Sequence, residues 1–294
     1  MSKSTKEIKN FWQENPVGEN LVPRDKDWEN HFKNYDDFRY KTEGHILSEL
    51  DSIDFKNKKV LEIGVGQASD SYQIAIRGGI WHGLDLTDAA KERAQKRFEI
   101  ANQPYGEVKV GSATEIPWHD DYFDIVYSHG VLHHIPNIEK TQIEISRVLK
   151  PQGKLVIMLY HKSSLNYWIS ILLIRRLGLL IISLLNKLKL FKPNHDTLIG
   201  KHLKNSKQLG IFKYLKPSNF IHSNTDGPEN PYSRVYRLED MKETFSCLKL
   251  EESRCHFINE RHFPGIKYLP NNIKKIIERN FGWHIWGYFS NNKG

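Results

Sequence analysis

Two carboxylates and two glycines recur at a spacing that fits a nucleoside crevice. Glu62, Gly64 and Gly66 stand in Val60-Leu-Glu-Ile-Gly-Val-Gly66, and Asp85 follows 21 positions after Gly64, in Trp81-His-Gly-Leu-Asp-Leu-Thr87. Each apolar run ends in such residues, one βα unit apart, which is the layout of the carboxyl edge of a parallel sheet. The glycines clear side chains from a ligand's path, and the following helix aims free N–H groups at it. Asp85 is placed to accept from two ribose hydroxyls. The same residues also read more plainly, with Glu62 as a polar strand end and Asp85 as a cap for the turn at Asp88. A dinucleotide site would want a third glycine, but Gln67-Ala68-Ser69-Asp70 follows instead. An acid just before the first glycine also opposes a pyrophosphate.

A second set lies in Tyr127-Ser-His-Gly-Val-Leu-His-His134 and Met158-Leu-Tyr-His161. Imidazole titrates near neutral pH, so His129, His133 and His161, with Tyr160 beside them, are candidate acid–base groups. Equally, His133 and His134 read as one packed and one capping histidine, and Tyr160 with His161 as a satisfied buried pair. S-adenosylmethionine has ribose hydroxyls, no phosphates and a cationic sulfonium, which suits an acid-rich crevice. Methyl transfer from it is an in-line displacement that needs alignment, exclusion of water and, for a protic acceptor, a base.

These residues must be held by a repeating framework, and the chain supplies one. Strands are expected at 60–63, 79–84, 108–111, 123–128 and 154–160. Helices are expected at 69–77, capped by Ser69 or Asp70, and at 89–101 and 138–149, with a turn at 150–153. Their alternation is that of a doubly wound α/β sheet, and runs apolar on both faces agree with parallel, covered strands. Before it, 36–50 has helical spacing. After it the rhythm breaks. Asn166–Leu190 is an apolar helix whose wheel puts Leu173, Ile174, Leu177, Leu180, Ile181, Leu184, Leu185 and Leu188 on one face. Arg175, Arg176 and Lys187 lie on the other, with Ile171, Leu172, Leu179 and Ile182 intruding. Two arginines at its middle oppose a membrane span. Residues 193–230 read as irregular. A helix at 238–245 and strands at 248–252 and 283–290, antiparallel, close the sheet. The expected organisation is a helical cap over 1–45, a cofactor core over 46–162, a lysine-rich helical insertion over 163–230 and a sheet-completing part over 231–294.

The ordered motifs resemble the class I S-adenosylmethionine-dependent methyltransferases. The likeness runs through Val60–Gly66, Leu84-Asp-Leu-Thr87, Gly111-Ser-Ala-Thr-Glu-Ile-Pro117, Phe123–Asn137 and Arg147–Gly153. The nearest branch is the small-molecule one that includes the ubiquinone/menaquinone-type enzymes. The resemblance implies a seven-stranded, mostly parallel Rossmann-like sheet with an added helical lid or lobe, and S-adenosyl-L-methionine as cofactor. It implies that Gly64, Val65 and Gly66 approach the cofactor, that Glu62 orders their loop, and that Asp85 holds the ribose. Leu86 covers the adenine, and Ser112 and Ala113 meet its edge, although Asp is common where Ser112 stands. The backbone at Ser128 and His129 faces the methionine part. Arg39 and Tyr40 fold over the site with Asp70 beside them, Arg39 pairing with the cofactor carboxylate.

Composition narrows the partners. The chain has 294 residues, a net charge of +8 and two cysteines in no metal-ligand spacing, which suits a reducing, cytoplasmic setting with no metal. Met1–Glu7 has no apolar signal segment. From Lys187 to Lys216 there are eight lysines and one acid, Asp196. That segment is read as a solvated, mobile lobe, or as a contact for an anionic substrate or an anionic membrane surface, and the apolar helix before it as a lid, a homodimer contact or a helix lying peripherally on a membrane. Lysines without arginine or aromatic interleaving argue against nucleic acid. No Pro-Pro-aromatic run, no Cys beside Pro and no paired glutamates follow the fourth strand. That removes nucleobase-amine, cytosine-C5 and protein-arginine methylation. The expected function is methyl transfer to a small-molecule or lipid-like acceptor. A non-catalytic binding protein of the same fold, or a nucleotide-dependent oxidoreductase, is the alternative.

Overall fold

The computed structural model describes residues 5–19 and 21–293. Its strands are β1 Lys59–Ile63, β2 Ile80–Asp85, β3 Val108–Val110, β4 Phe123–His129, β5 Leu149–Tyr160, β6 Lys249–His256 and β7 His284–Ser290. They form one seven-stranded sheet in the order β3-β2-β1-β4-β5-β7-β6. β1 to β5 are parallel, with Val60 opposite both Trp81 and Ile125. β7 runs antiparallel to β5 and β6. The order reverses between β1 and β4, and this opens a crevice at the carboxyl ends of those strands.

Alternation along the strands feeds two cores. Val60, Ile125 and Val156 face a layer with Ile46, Ile74 and Phe98. Leu61, Val126 and Leu155 face the opposite layer with Ile145, Met241 and Phe245. The helices behind the first layer are α3 His45–Asp51, α4 Ser69–Ile76 and α5 Asp88–Ile100, preceded by α1 Thr5–Glu14 and α2 Trp28–Thr42. The second layer is covered by α6 Ile138–Val148 and, late in the chain, α12 Leu238–Thr244. Between these two come α7 Arg176–Lys187, α8 Leu198–Leu209, α9 Ile211–Tyr214, α10 Pro217–Phe220 and α11 His222–Thr225; α13 Asn271–Phe281 precedes β7.

Several local expectations change. The single helix expected over 36–50 is two helices, broken at Glu43-Gly44. Neither Ser69 nor Asp70 caps α4: Ala68 does so, in a left-handed conformation with φ 59°, because Ser69 donates to Asp36 and Asp70 is held elsewhere. The turn expected at 150–153 is a bulge within β5, pinned by paired bonds to Asn291 of 2.8 Å each. The stretch expected to be irregular, 193–230, holds α8 to α11, and Thr197 caps α8 through Gly200 N–H.

The apolar helix is continuous from Asn166 to Lys187, its first ten residues wound as a π-helix. Its buried face is the reverse of a leucine-stripe packing. Ile171 and Leu179 are buried, and Leu172 and Ile182 partly so, in a third core with Leu203, Tyr214, Phe220 and Trp283. Leu173, Leu177, Ile181 and Leu184 are each more than half exposed. The packed face is the one that lets Arg175 donate to the Asn224 carbonyl at 2.9 Å.

Candidate functional site

One cavity of about 1850 Å³ occupies the crevice. A site for one ligand runs to about 300–1,000 Å³, so this volume accommodates a nucleoside cofactor and an acceptor together. Its inner end is lined by Glu62, Gly64, Val65, Gly66, Asp70, Asp85, Leu86, Ser112 and Ala113. Its outer end is lined by Arg39, His129, Tyr160, Asp226, Trp283 and His284, and by the helical lobe.

At the inner end the β1–α4 loop is left-handed at both glycines. Gly64 has φ 84°, and a Cβ there would fall 2.1 Å from Val131 Cγ2. Gly66 has φ 56°, and a Cβ there would fall 2.9 Å from Val17 Cγ1. The Asn15–Gly18 turn thus lies over the loop, tied by Gln67 Nε2 donating to the Val17 carbonyl at 3.0 Å. Asp85 orders the loop: one oxygen accepts from Val65 N–H at 2.9 Å and Gly66 N–H at 3.3 Å. The other accepts from Thr87 N–H and Oγ1, both at 2.8 Å. Those four bonds match the roughly four lone-pair sites of a carboxylate. The helix cap is Thr87, not Asp85. Ser112 Oγ sits 2.8 Å from Thr114 Oγ1 in a local turn that presents the Ser112–Ala113 backbone to the cavity.

Glu62 does not order the glycine loop. It accepts from Ser71 Oγ and, at 2.8 Å, from Trp81 Nε1. Burial and the nearby Asp70 charge push its carboxyl up to about 8. Arg39 is likewise not free to clasp a cofactor carboxylate. Its Nε and Nη2 donate to Asp70 at 3.1 and 2.7 Å, and Tyr40 and Tyr127 hydroxyls complete the cradle at 3.1 and 3.0 Å. Burial would raise the Asp70 carboxyl, but the Arg39 charge overrides it and holds the group at about 2. Only Nη1 remains, 3.9 Å from Glu43. Ser128 is fully buried and donates to the Ile63 carbonyl at 2.9 Å, so its side chain lies outside the cavity wall.

The four candidate acid–base residues separate. His133 is fully buried under Tyr160, ring centroids 3.8 Å apart, and neither of its ring nitrogens has a hydrogen-bond partner among the described residues. His161 is buried too, its Nδ1 3.0 Å from the Gly282 carbonyl. Neither lines the cavity. His129 does, but its Nδ1 lies 3.2 Å from Arg39 Nη2. Arginine only donates, so Nδ1 accepts and the proton sits on Nε2. Burial, then Arg39, holds this imidazole well below its ordinary range. His45, His129 and His284 bring ring nitrogens within 4.8 Å of one another. With the His129 Nε2 protonated and a guanidinium alongside, this is a cluster of neutral imidazoles.

Tyr160 remains, and the structure pairs it with a residue of the stretch 193–230 that the sequence reads as irregular. Its hydroxyl donates to Asp226 at 3.0 Å, and His134 Nε2 lies 3.3 Å from the same carboxylate. Burial pushes Asp226 up, but His134 and the hydrogen bonds from Thr225 and Tyr160 together outweigh it and the net direction is down, so the group is an anion at the outer end of the cavity. Its only sequence signal was an acid in the turn cluster Asn224–Pro231, which spacing reads as a loop. Trp283 and His284 were missed because the site uses the start of β7, whose antiparallel direction brings its first residues to the ligand edge.

The inner wall fits an adenosyl group: a carboxylate for the ribose, apolar Leu86 and Ala113 for the base, and no third glycine for a pyrophosphate. Residues 61–157 match the family described as methyltransferase domain. Phosphoethanolamine N-methyltransferase 2 of Caenorhabditis elegans is 33% identical over 111 residues, 37% of this chain and 25% of that protein. Sterol 4-C-methyltransferase strm-1 of the same organism is 30% identical over 38% of this chain and 34% of its own. Fatty-acid O-methyltransferase of Mycolicibacterium smegmatis is 30% identical over 34% and 36%. The chain thus spans about a quarter to a little over a third of the length of these curated relatives. In fold, it is similar at TM-score 0.55 and 14% identity to a chain of the complex between the Haloferax volcanii Trm112 methyltransferase activator and a methyltransferase, covering 98% of both. A SAM-dependent methyltransferase of Aquifex aeolicus matches at 0.50 and 13%, covering 91% and 100%. Residues 61–157 thus match a methyltransferase domain, set in a fold similar to that of solved methyltransferase structures.

Proposed function

We propose that the protein transfers a methyl group from S-adenosylmethionine to a small-molecule or lipid-like acceptor. The observation that carries this is the single cavity that joins the Gly64–Gly66–Asp85 crevice to a chamber walled by Tyr160, Asp226, Trp283 and His284. The acceptor's lone pair forms a bond to the methyl carbon while the carbon–sulfur bond breaks onto sulfur, leaving S-adenosylhomocysteine and needing no general acid. Trp283 and Tyr160, stacked at 4.6 Å, give the acceptor an apolar wall. Asp226 presents an anion that receives a proton from, or holds, a protic acceptor. His129, protonated at Nε2, is a donor in this arrangement and not the base.

The acceptor chemistry rests on analogy with the relatives named for phosphoethanolamine, sterol and fatty-acid methylation. Quinone-type acceptors belong to the same trial set. The same reading has the protein work in the cytoplasm and touch a membrane surface peripherally. Incubation with methyl-labelled S-adenosylmethionine and fractionated cell extract tests it. Label in an organic-soluble or small polar product supports the reading. Tight S-adenosylhomocysteine binding with no labelled product from any fraction replaces it with a non-catalytic role.

A further inference from the structure

The 163–230 lobe exposes a surface that the methyl-transfer chemistry does not use. From Asn166 to Lys187 the chain forms a 22-residue helix of mean hydropathy 2.1, long and apolar enough to cross a membrane. One side of it is committed to protein: Ile171 and Leu179 pack on Leu203 and Phe220, and Arg175 is bonded to Asn224. A helix lined by its own domain along one side is not surrounded by lipid, which argues against a span. The other side is open. Leu173, Leu177, Ile181, Leu184 and Leu188 are each more than half exposed, and Leu190 is 72% exposed just beyond. Single exposed leucines are ordinary, but a contiguous stripe marks a contact surface.

Charge selects the occupant. No Asp or Glu occurs from Lys162 to His195, and exposed Lys187, Lys189 and Lys192 interleave with Leu188, Leu190 and Phe191 at the lobe's tip. Lys204, Lys207, Lys213 and Lys216 are exposed farther along. Two copies joined through this face would bring two lysine rims together. An anionic lipid surface neutralises the rim and buries the stripe. The stripe is also continuous with the cavity, because Ile174, Leu198 and Ile199 are exposed and line its mouth.

We propose that this face seats the protein on an anionic bilayer, with the cavity mouth at the lipid boundary so that an amphiphilic acceptor enters from the membrane. The entry step deepens the lipid-like acceptor reading; the seating does not depend on it.

The test is vesicle flotation of the full chain, with phosphatidylcholine alone and with added phosphatidylglycerol. The comparison variant is Leu177→Glu/Ile181→Glu/Leu184→Glu, three positions outside the cavity wall. Flotation is expected only with the anionic vesicles, falling by about tenfold or more between low and high salt, as for a polybasic surface contact. The triple variant should lose it while binding S-adenosylhomocysteine like the parent, which shows that it is folded. Equal flotation on both vesicle types, or no loss in the variant, overturns the proposal. So does a dimer in sedimentation that the variant dissociates while neither protein floats, which assigns the face to a second copy. A protein that floats yet labels no lipid keeps the seating and loses the acceptor reading. One that labels a water-soluble product without floating loses the seating alone.

Discussion

Arg39 Nη2 lies 3.2 Å from His129 Nδ1 while the same guanidinium grips Asp70. One cation therefore fixes both a buried charge and the tautomer of a histidine on the cavity wall. Arg39→Met should destabilise the fold by about 3–5 kcal/mol, because it strands the Asp70 carboxylate. Urea unfolding measures this. The double variant with Asp70→Asn should lose less than the sum of the singles, and strict additivity would contradict the coupling.

Asp85 has all its lone pairs engaged, and the 3.3 Å bond from Gly66 is the longest of the four. A ribose hydroxyl replaces that bond at least cost. Asp85→Ala should weaken S-adenosylhomocysteine binding by about 1–3 kcal/mol, as for a charged acceptor. Calorimetry that returns the parent's affinity would remove the residue from the cofactor site.

Gly64→Ala meets two obstacles, a positive φ and a methyl 2.1 Å from Val131. Cofactor binding should fall below detection, with a lowered melting temperature. Adding Val131→Ala should recover the part due to the clash and leave the part due to φ. Full recovery would show that backbone strain is not at issue.

Acid should destabilise the protein early. Burial holds His45 at about 3 and His82, His202 and His262 at about 4, with His129, His133 and His284 also pushed down. These groups are neutral when folded and take up protons on unfolding, so stability is full above about pH 6.5 and declines below it. Each contributes a slope of about 1.4 kcal/mol per pH unit down to its folded value. Glu62, held near 8, acts in the opposite sense, favouring the fold below about 4.5 and losing that stabilisation as pH rises toward 8. The histidines outnumber it, so urea midpoints should drop from pH 7 to pH 5. A flat profile would contradict the burial of these rings.

Tyr160→Phe and Asp226→Asn should lower kcat/KM for the acceptor by about tenfold or more while S-adenosylhomocysteine affinity stays constant, as for a hydrogen bond to a charged group. A parallel loss of cofactor affinity would move both residues out of the acceptor chamber.

The sheet was legible because β1, β2, β4 and β5 are buried on both faces and the helices between them carry ordinary periodicity, so local pattern and tertiary demand coincide. The convergence of Gly64, Gly66 and Asp85 on one crevice was legible for the same reason: they stand on the β1–α4 and β2–α5 turns. Arg39, Glu62 and Ser128 were placed near the right cleft, but their partners, Asp70, Trp81 and the Ile63 carbonyl, are set by packing between distant segments. Asp226, Trp283 and His284 were not legible, since the insertion and the antiparallel strand obey no spacing rule relative to Tyr160. What covers each side of the 166–187 helix was not legible, because amphipathicity names an apolar face without naming its partner.

β7 sits between β5 and β6, and its first residue, His284, pairs with Tyr160. The outer end of the cavity therefore draws one wall from a strand synthesised some 120 residues after the tyrosine it faces. While this chain is still being made on the ribosome, the nucleoside half can assemble early, but the outer half of the cavity stays open until β7 has emerged.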